Sequence, residues 1–235
     1  MKRLGIIGAM SIEVESLKEN MQGLRSSVHA GMTFYEGKLE ELDVVVVVCG
    51  VGKVNAALCV QVLCDCYNVT HIVNTGVAGS LCAQLDIGDF VVSEDAMHHD
   101  FDCSPLDYEP GQIPGISVRS FPADKTLVTF AYAAAEKVHK AHVCIGRVAS
   151  GDQFVSEKTQ KQEIIDVTGA LCTEMEGAAI AQAAWRNEIP FVIIRAISDK
   201  ADDSAQMDYP VFEAIAAKRC AEVTRQLSRQ LYESE

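Results

Sequence analysis

Four acidic residues stand where acid–base chemistry is feasible: Glu13, Glu174, Glu176 and Asp199. Glu13 follows Gly5-Ile6-Ile7-Gly8-Ala9-Met10-Ser11-Ile12, an apolar run, a turn of small residues and a helix start. In α/β sheets ligands collect at such carboxyl ends of strands. A carboxylate there either complements the helix dipole or serves as a general base. Glu174-Met175-Glu176 opens a segment of small residues, Gly177-Ala178-Ala179-Ile180-Ala181. One of its carboxylates can accept from both hydroxyls of a ribose and stabilise an oxocarbenium-like sugar, or it can again match a helix dipole. Arg195-Ala196-Ile197-Ser198-Asp199 closes the apolar run Phe191 to Ile197. Buried charge is costly unless paired or used. Asp199 is a general-acid candidate if burial raises its pKa, and Arg195 can pair with a carboxylate or hold a water. A structural ion pair fits the same pattern.

Three glycine-bearing turns can wall a pocket. Gly50-Val51-Gly52-Lys53-Val54-Asn55 fails as a dinucleotide fingerprint, because Asn55 stands where a third small residue belongs; it fails as a P-loop, because Val54 replaces Ser or Thr. Its glycines instead allow a tight turn or close backbone approach. Asn74-Thr75-Gly76-Val77-Ala78-Gly79-Ser80 reads as a strand ending in a glycine-rich turn. Ser150-Gly151-Asp152-Gln153-Phe154-Val155 offers a ring on which a flat base could stack, or an ordinary turn with Phe154 in the core. His98-His99-Asp100-Phe101-Asp102 has metal-ligand residue types without a standard spacing, and Cys64-Asp65-Cys66 lacks a second ligand pair, so neither is read as a metal site.

These motifs need an α/β scaffold, and the chain supplies its pattern. Strands are expected at Leu4 to Ala9, Thr33 to Leu39, Val44 to Cys49, His71 to Thr75, Asp89 to Ser93, Val143 to Ala149 and Phe191 to Ile197. Helices are expected at Ile12 to Met21, Val54 to Cys66, Lys125 to His139, Lys158 to Val167, Glu176 to Asn187 and Tyr209 to Tyr232, the last capped by Asp208. Val44 to Val48, five valines in a row, implies a central strand covered on both faces. The Met32 to Cys49 segment reads as a hairpin across Glu40-Glu41-Leu42-Asp43, which makes the sheet mixed. His98 to Pro122 is the longest irregular stretch, and long loops in compact domains are usually functional.

The 235 residues fit one domain, 1–235, with 49% apolar and 23% charged residues. No run of eighteen apolar residues is present, and the basic start Met1-Lys2-Arg3 leads into a first strand rather than a signal peptide. A formal charge of −13 argues against nucleic acid and favours a small neutral or cationic ligand. Nine cysteines, an odd number set mostly in apolar runs, suit a reducing cytoplasm.

Taken together, Gly5 to Glu13, Gly50 to Lys53, Asn74 to Gly79, His99-Asp100, Ser150 to Val155, Glu174 to Glu176 and Arg195 to Asp199 resemble, in order and approximate spacing, the 5′-methylthioadenosine/S-adenosylhomocysteine nucleosidases of the purine and uridine phosphorylase superfamily. The resemblance spans essentially the whole chain. It implies a three-layer α/β/α fold with a central mixed sheet, and hydrolysis of the N-glycosidic bond of both nucleosides in methionine salvage and S-adenosylmethionine recycling. By this resemblance Glu13 activates the water, Asp199 protonates N7 of adenine and Glu176 holds the ribose hydroxyls. Phe154 and Val155 bind the base. Met175 and Arg195 complete the sugar site, with Glu174, Ser198, Ala78 and Gly79 around it, and the 5′ group rests on Met10, Val51, Tyr209 and Phe212. The loop around Cys103 to Leu106 comes from the second subunit of a homodimer. No cofactor or metal is required. Val77 stands where some members of the family carry a serine and Leu106 where many carry an aromatic ring, and both bear on the 5′ tail. The alternatives are a nucleosidase for 6-amino-6-deoxyfutalosine or 5′-deoxyadenosine, a phosphate-dependent nucleoside phosphorylase, and a non-catalytic nucleoside-binding protein.

Overall fold

The computed structural model describes residues 2–138, 142–202 and 204–234. Its strands are β1 (Arg3–Gly8), β2 (Gln22–His29), β3 (Met32–Leu39), β4 (Leu42–Val48), β5 (His71–Ser80), β6 (Phe90–His98), β7 (Phe121–Pro122), β8 (Val143–Ser150), β9 (Cys172–Glu174) and β10 (Phe191–Asp199). The helices are α1 (Ser11–Glu19), α2 (Lys53–Tyr67), α3 (Lys125–Val138), α4 (Lys158–Thr168), α5 (Gly177–Arg186) and α6 (Ala205–Glu233). They form three layers around one mixed sheet. The valine strand shows why. Val45 and Val47 enter a core shared with α2 and α5, while Val44 and Val46 enter a second core shared with α1, α3 and α6. Successive side chains of a strand point to opposite faces, so an unbroken apolar run has to be covered twice. β4 lies between β1 (parallel) and β3 (antiparallel), inside the sheet as expected.

The strand order is β10-β6-β8-β9-β5-β1-β4-β3-β2, with β7 on β6. β10 pairs with β5 as well as β6, and β9 pairs with both β5 and β8. Five strands therefore close into a ring at one end of the sheet, and the remaining strands extend from β5 through β1.

Several expectations are corrected. The Asn74 to Ser80 segment is strand to its end, not a turn, because β9 and β10 hydrogen-bond to both sides of it as far as Gly79. β2 is a largely exposed edge strand, Gln22–His29, whose two large apolar side chains, Leu24 and Val28, are too few to form a period that would reveal it. β7 and β9, two and three residues long, are too short to have a period. The last helix starts at Ala205 with Ser204 as its N-cap, so Asp208 lies in the first turn and accepts from Ser204 Oγ at 2.7 Å; Pro210 sits inside the helix. The expected end of the third helix, His139, falls outside the described residues.

Candidate active site

Four carboxylates from three chain segments, Glu13, Glu174, Glu176 and Asp199, line one cavity. The strand ends that build it are those of β1, β5 and β10, with the β4–α2 turn, the β8–α4 loop and the β9–α5 junction around them. Glu13, the third residue of α1, is only 3% exposed. Its Oε2 accepts from Ala9 N (2.7 Å) and Met10 N (2.9 Å), and its Oε1 from Val77 N (3.2 Å). Burial raises its pKa, while the nearby Arg195 charge and these three N–H groups oppose the rise. Asp199 ends β10, also 3% exposed, with Oδ1 accepting from Ala201 N at 2.8 Å and Oδ2 from Ser198 Oγ at 2.9 Å. Burial likewise raises its pKa.

β5 lets both carboxylates approach because it lacks side chains at two positions. A Cβ on Gly76 would collide with Glu13 Oε1, and one on Gly79 would stand 2.8 Å from Asp199 Oδ1. The glycines of the expected turn are real requirements of the site, met in a strand.

The paired glutamates divide sharply. Glu174 ends β9 and caps α5, accepting from Glu176 N (3.1 Å) and Gly177 N (2.8 and 3.0 Å). It also pairs with Arg195 Nη2 at 2.5 Å and accepts from Ser150 Oγ. Burial pulls its pKa up, yet Arg195, Ser150 and the helix N–H groups outweigh burial and hold it below the usual carboxylate value. Glu176 has a single backbone partner, Gly52 N at 2.8 Å. Burial and the Glu174 charge push its pKa up. Dipole matching, one of two readings for this pair, describes Glu174; Glu176 keeps acceptor capacity for a ligand.

Arg195 does not line the cavity. It lies behind, 2% exposed, donating to Glu174, Asn74 Oδ1 and the Ile194 carbonyl. Met10, Val51, Val77, Ala78, Gly79, Phe154, Val155, Glu174, Met175, Glu176, Ser198 and Tyr209 do line it, as expected. Phe154 is 48% exposed and stands edge-on to Tyr209 at 5.6 Å, which overturns a core role for this ring. Phe212, Cys103 and Leu106 are not in the wall that this chain supplies; Cys103 and Leu106 belong to the stretch with the short 3-10 turn Ser104–Leu106. Ala9, Gln153 and Thr173 are added. Ala9 and Gln153 sit within motifs already singled out, whereas Thr173 carried no signal, since only the β9 pairing with Gly79 brings it there.

The β4–α2 turn, with Gly50 at φ +87° and Gly52 at +100°, is locked to its neighbours through one network. Lys53 Nζ holds Asp100 at 2.6 and 2.7 Å, Asp100 accepts from Asp152 N at 2.9 Å, and Asp152 accepts from Lys53 N at 2.8 Å. Asp100 thus ties three loops together. Among the described residues no three His, Cys, Asp or Glu side chains cluster as metal ligands would.

The family description "Phosphorylase superfamily" matches residues 3–229. A 5′-methylthioadenosine/S-adenosylhomocysteine nucleosidase of Staphylococcus carnosus is 38% identical over 97% of this chain and 100% of its own. A crystal structure of the nucleosidase of the same name from Colwellia psychrerythraea, in complex with adenine, has a TM-score of 0.94 at 37% identity, covering 98% of this chain and 96% of its own. A futalosine hydrolase from Helicobacter pylori superposes with a TM-score of 0.92 at 29% identity, over 97% of this chain and 98% of its own.

Proposed function

This chain belongs to the phosphorylase superfamily, and we propose that within it the protein hydrolyses the N-glycosidic bond of 5′-methylthioadenosine and S-adenosylhomocysteine, releasing adenine and the 5′-thioribose product. The observation that carries this reading is the pair of buried carboxylic acids, Glu13 and Asp199, on one cavity wall with raised pKa values and no cation beside them on that wall. Glu13 takes a proton from water as the water oxygen bonds to C1′. The C1′–N9 bond breaks with its electron pair passing to the purine, and Asp199 delivers a proton to N7. Glu176, with its unused acceptor capacity, holds the ribose hydroxyls and stabilises positive charge developing on the sugar. Phe154, Val155 and Met175 bind the base.

Phosphorolysis would need a cationic clamp on phosphate. Among the described residues no lysine, arginine or histidine is found in the cavity wall, and Arg195 is engaged by Glu174. Adenine should therefore be released from methylthioadenosine in phosphate-free buffer; a strict phosphate requirement would sink the hydrolase reading, and no turnover at all would leave a binding protein. Measuring kcat/KM for methylthioadenosine, adenosylhomocysteine and aminofutalosine ranks the 5′ tails.

The same reading gives one domain, a cytoplasmic enzyme of methionine salvage and S-adenosylmethionine recycling, and a homodimer. Val51, Val54 and Leu58 are 50%, 71% and 49% exposed at one end of α2 beside the cavity, and Leu106 is 68% exposed. Exposed apolar side chains so grouped suit an interface, with Cys103 to Leu106 entering the partner's 5′ pocket and Phe212 at its margin. A monomer in light scattering at micromolar concentration contradicts this assembly.

A further inference from the structure

The end of the cavity formed by Met10 and Tyr209 is not purely apolar. Tyr209, on the first turns of α6, lines the cavity, and its hydroxyl lies 3.0 Å from Glu213 Oε1 and 3.4 Å from Met10 Sδ. One hydroxyl proton can serve only one of these acceptors. The carboxylate is far the stronger, so the proton goes to Glu213 and the oxygen lone pairs are left on the side of Met10. Donation to a charged acceptor also makes that oxygen a better acceptor. Glu213 is one helical turn beyond Tyr209, on the same face of α6, and is partly exposed. Neither residue is claimed by the proton transfers at Glu13 and Asp199.

We propose that the Tyr209–Glu213 pair selects the 5′ substituent, favouring a thio tail that carries an ammonium group over one that ends in a methyl group. The inference rests on the nucleosidase reading above, and deepens its substrate preference. Of the two nucleosides, S-adenosylhomocysteine carries an α-ammonium, next to its α-carboxylate, at the end of its tail, and methylthioadenosine carries neither; Glu213 is a partner for the ammonium alone. The ammonium approaches Glu213, with the Tyr209 oxygen as a second acceptor on its path. A methylthio group in the same place meets Met10 and gains nothing from the pair.

The test is the ratio of kcat/KM for adenosylhomocysteine to that for methylthioadenosine, measured in the full-length protein and in Glu213→Gln and Tyr209→Phe. The ratio should fall about 3- to 10-fold in each variant, in line with one partly exposed charged contact. A deaminated analogue of adenosylhomocysteine supplies a control independent of folding. The unsubstituted protein should handle it about 3- to 10-fold less well than adenosylhomocysteine, and Glu213→Gln should remove that difference. An unchanged ratio in Glu213→Gln, or equal handling of the two tails by the unsubstituted protein, overturns the inference while leaving nucleoside hydrolysis intact. Failure to cleave any of these nucleosides overturns the underlying reading instead.

Discussion

Two groups of buried charge meet at one cavity and behave in opposite ways. Behind the cavity, Arg195, Asn74 and Ser150 form a closed set with Glu174, which lines the cavity and has Arg195, Ser150 and backbone donors as partners. On the cavity wall, Glu13, Glu176 and Asp199 are as deeply buried, but their direct partners are hydrogen-bond donors, and Arg195 acts on Glu13 and Glu176 only without an ion-pair contact. The first group has its carboxylate held ionised; the second has its acids pushed up. Burial alone therefore does not make a carboxylate reactive. Lack of a cationic partner does, because it leaves the proton affinity within reach of a reaction.

The comparison breaks first at Glu13. Glu13→Gln should keep nucleoside binding and lose kcat by about 100- to 10,000-fold, the usual share of a general base; steady-state kinetics with calorimetric binding checks both, and near-normal turnover refutes its role. Asp199→Asn should lose activity on the same scale, and an unchanged rate would place the leaving-group acid elsewhere. Behind the wall, Arg195→Met strands Glu174 without its cation. Stability should drop by about 3–5 kcal/mol, read in urea unfolding, and a variant as stable as the parent would show that the closed set is not structural.

The pH dependence tests the same contrast more gently. The base must be ionised and its pKa is raised from 4.5, so kcat/KM should fall on acidification at a pH above that value. Asp199 must hold a proton, so activity should decline again as pH rises through its raised pKa. A profile flat down to pH 4.5 would contradict the first limb. The smallest effect belongs to Glu176. Its folded pKa lies above the unfolded one, so its stabilising contribution is complete below the unfolded pKa and is lost as pH rises through the folded value. At neutral pH, above the unfolded value of 4.5 and below the folded one of about 8, folding must bring a proton to this group, which is a cost, and Glu176→Gln retains an acceptor for Gly52 N. The variant should gain about 2–4 °C in Tm at neutral pH, with the gain shrinking towards pH 4, while kcat/KM falls. A lower Tm would mean that Glu176 is held as Glu174 is.

Much of the site could be read from residue types next to apolar runs. Glu13, Glu176 and Asp199 each follow a strand or open a helix, and Phe154 and Val155 follow another. The division of labour between Glu174 and Glu176 could not be read, because both have the same side chain, nearly the same position and the same helix to cap. Thr173 was invisible for a related reason: its place in the wall comes from a strand partner about ninety residues earlier.

By itself the sequence determined the layered α/β scaffold, since five adjacent valines imply a strand covered on both faces and strand-length apolar runs alternate with helical patterns along the chain, and it determined the small residues at the strand ends that admit carboxylates. Tertiary structure decided the rest. Closure of β5, β6, β8, β9 and β10 into a ring drew Asp199 to Gly79, and the pairing of β1 with β5 brought Glu13 to Gly76. It also set Arg195 against Glu174, leaving Glu176 without an ion pair among the described residues. Proton affinity is a property of surroundings rather than of residue type, and those surroundings exist only once the ring has closed.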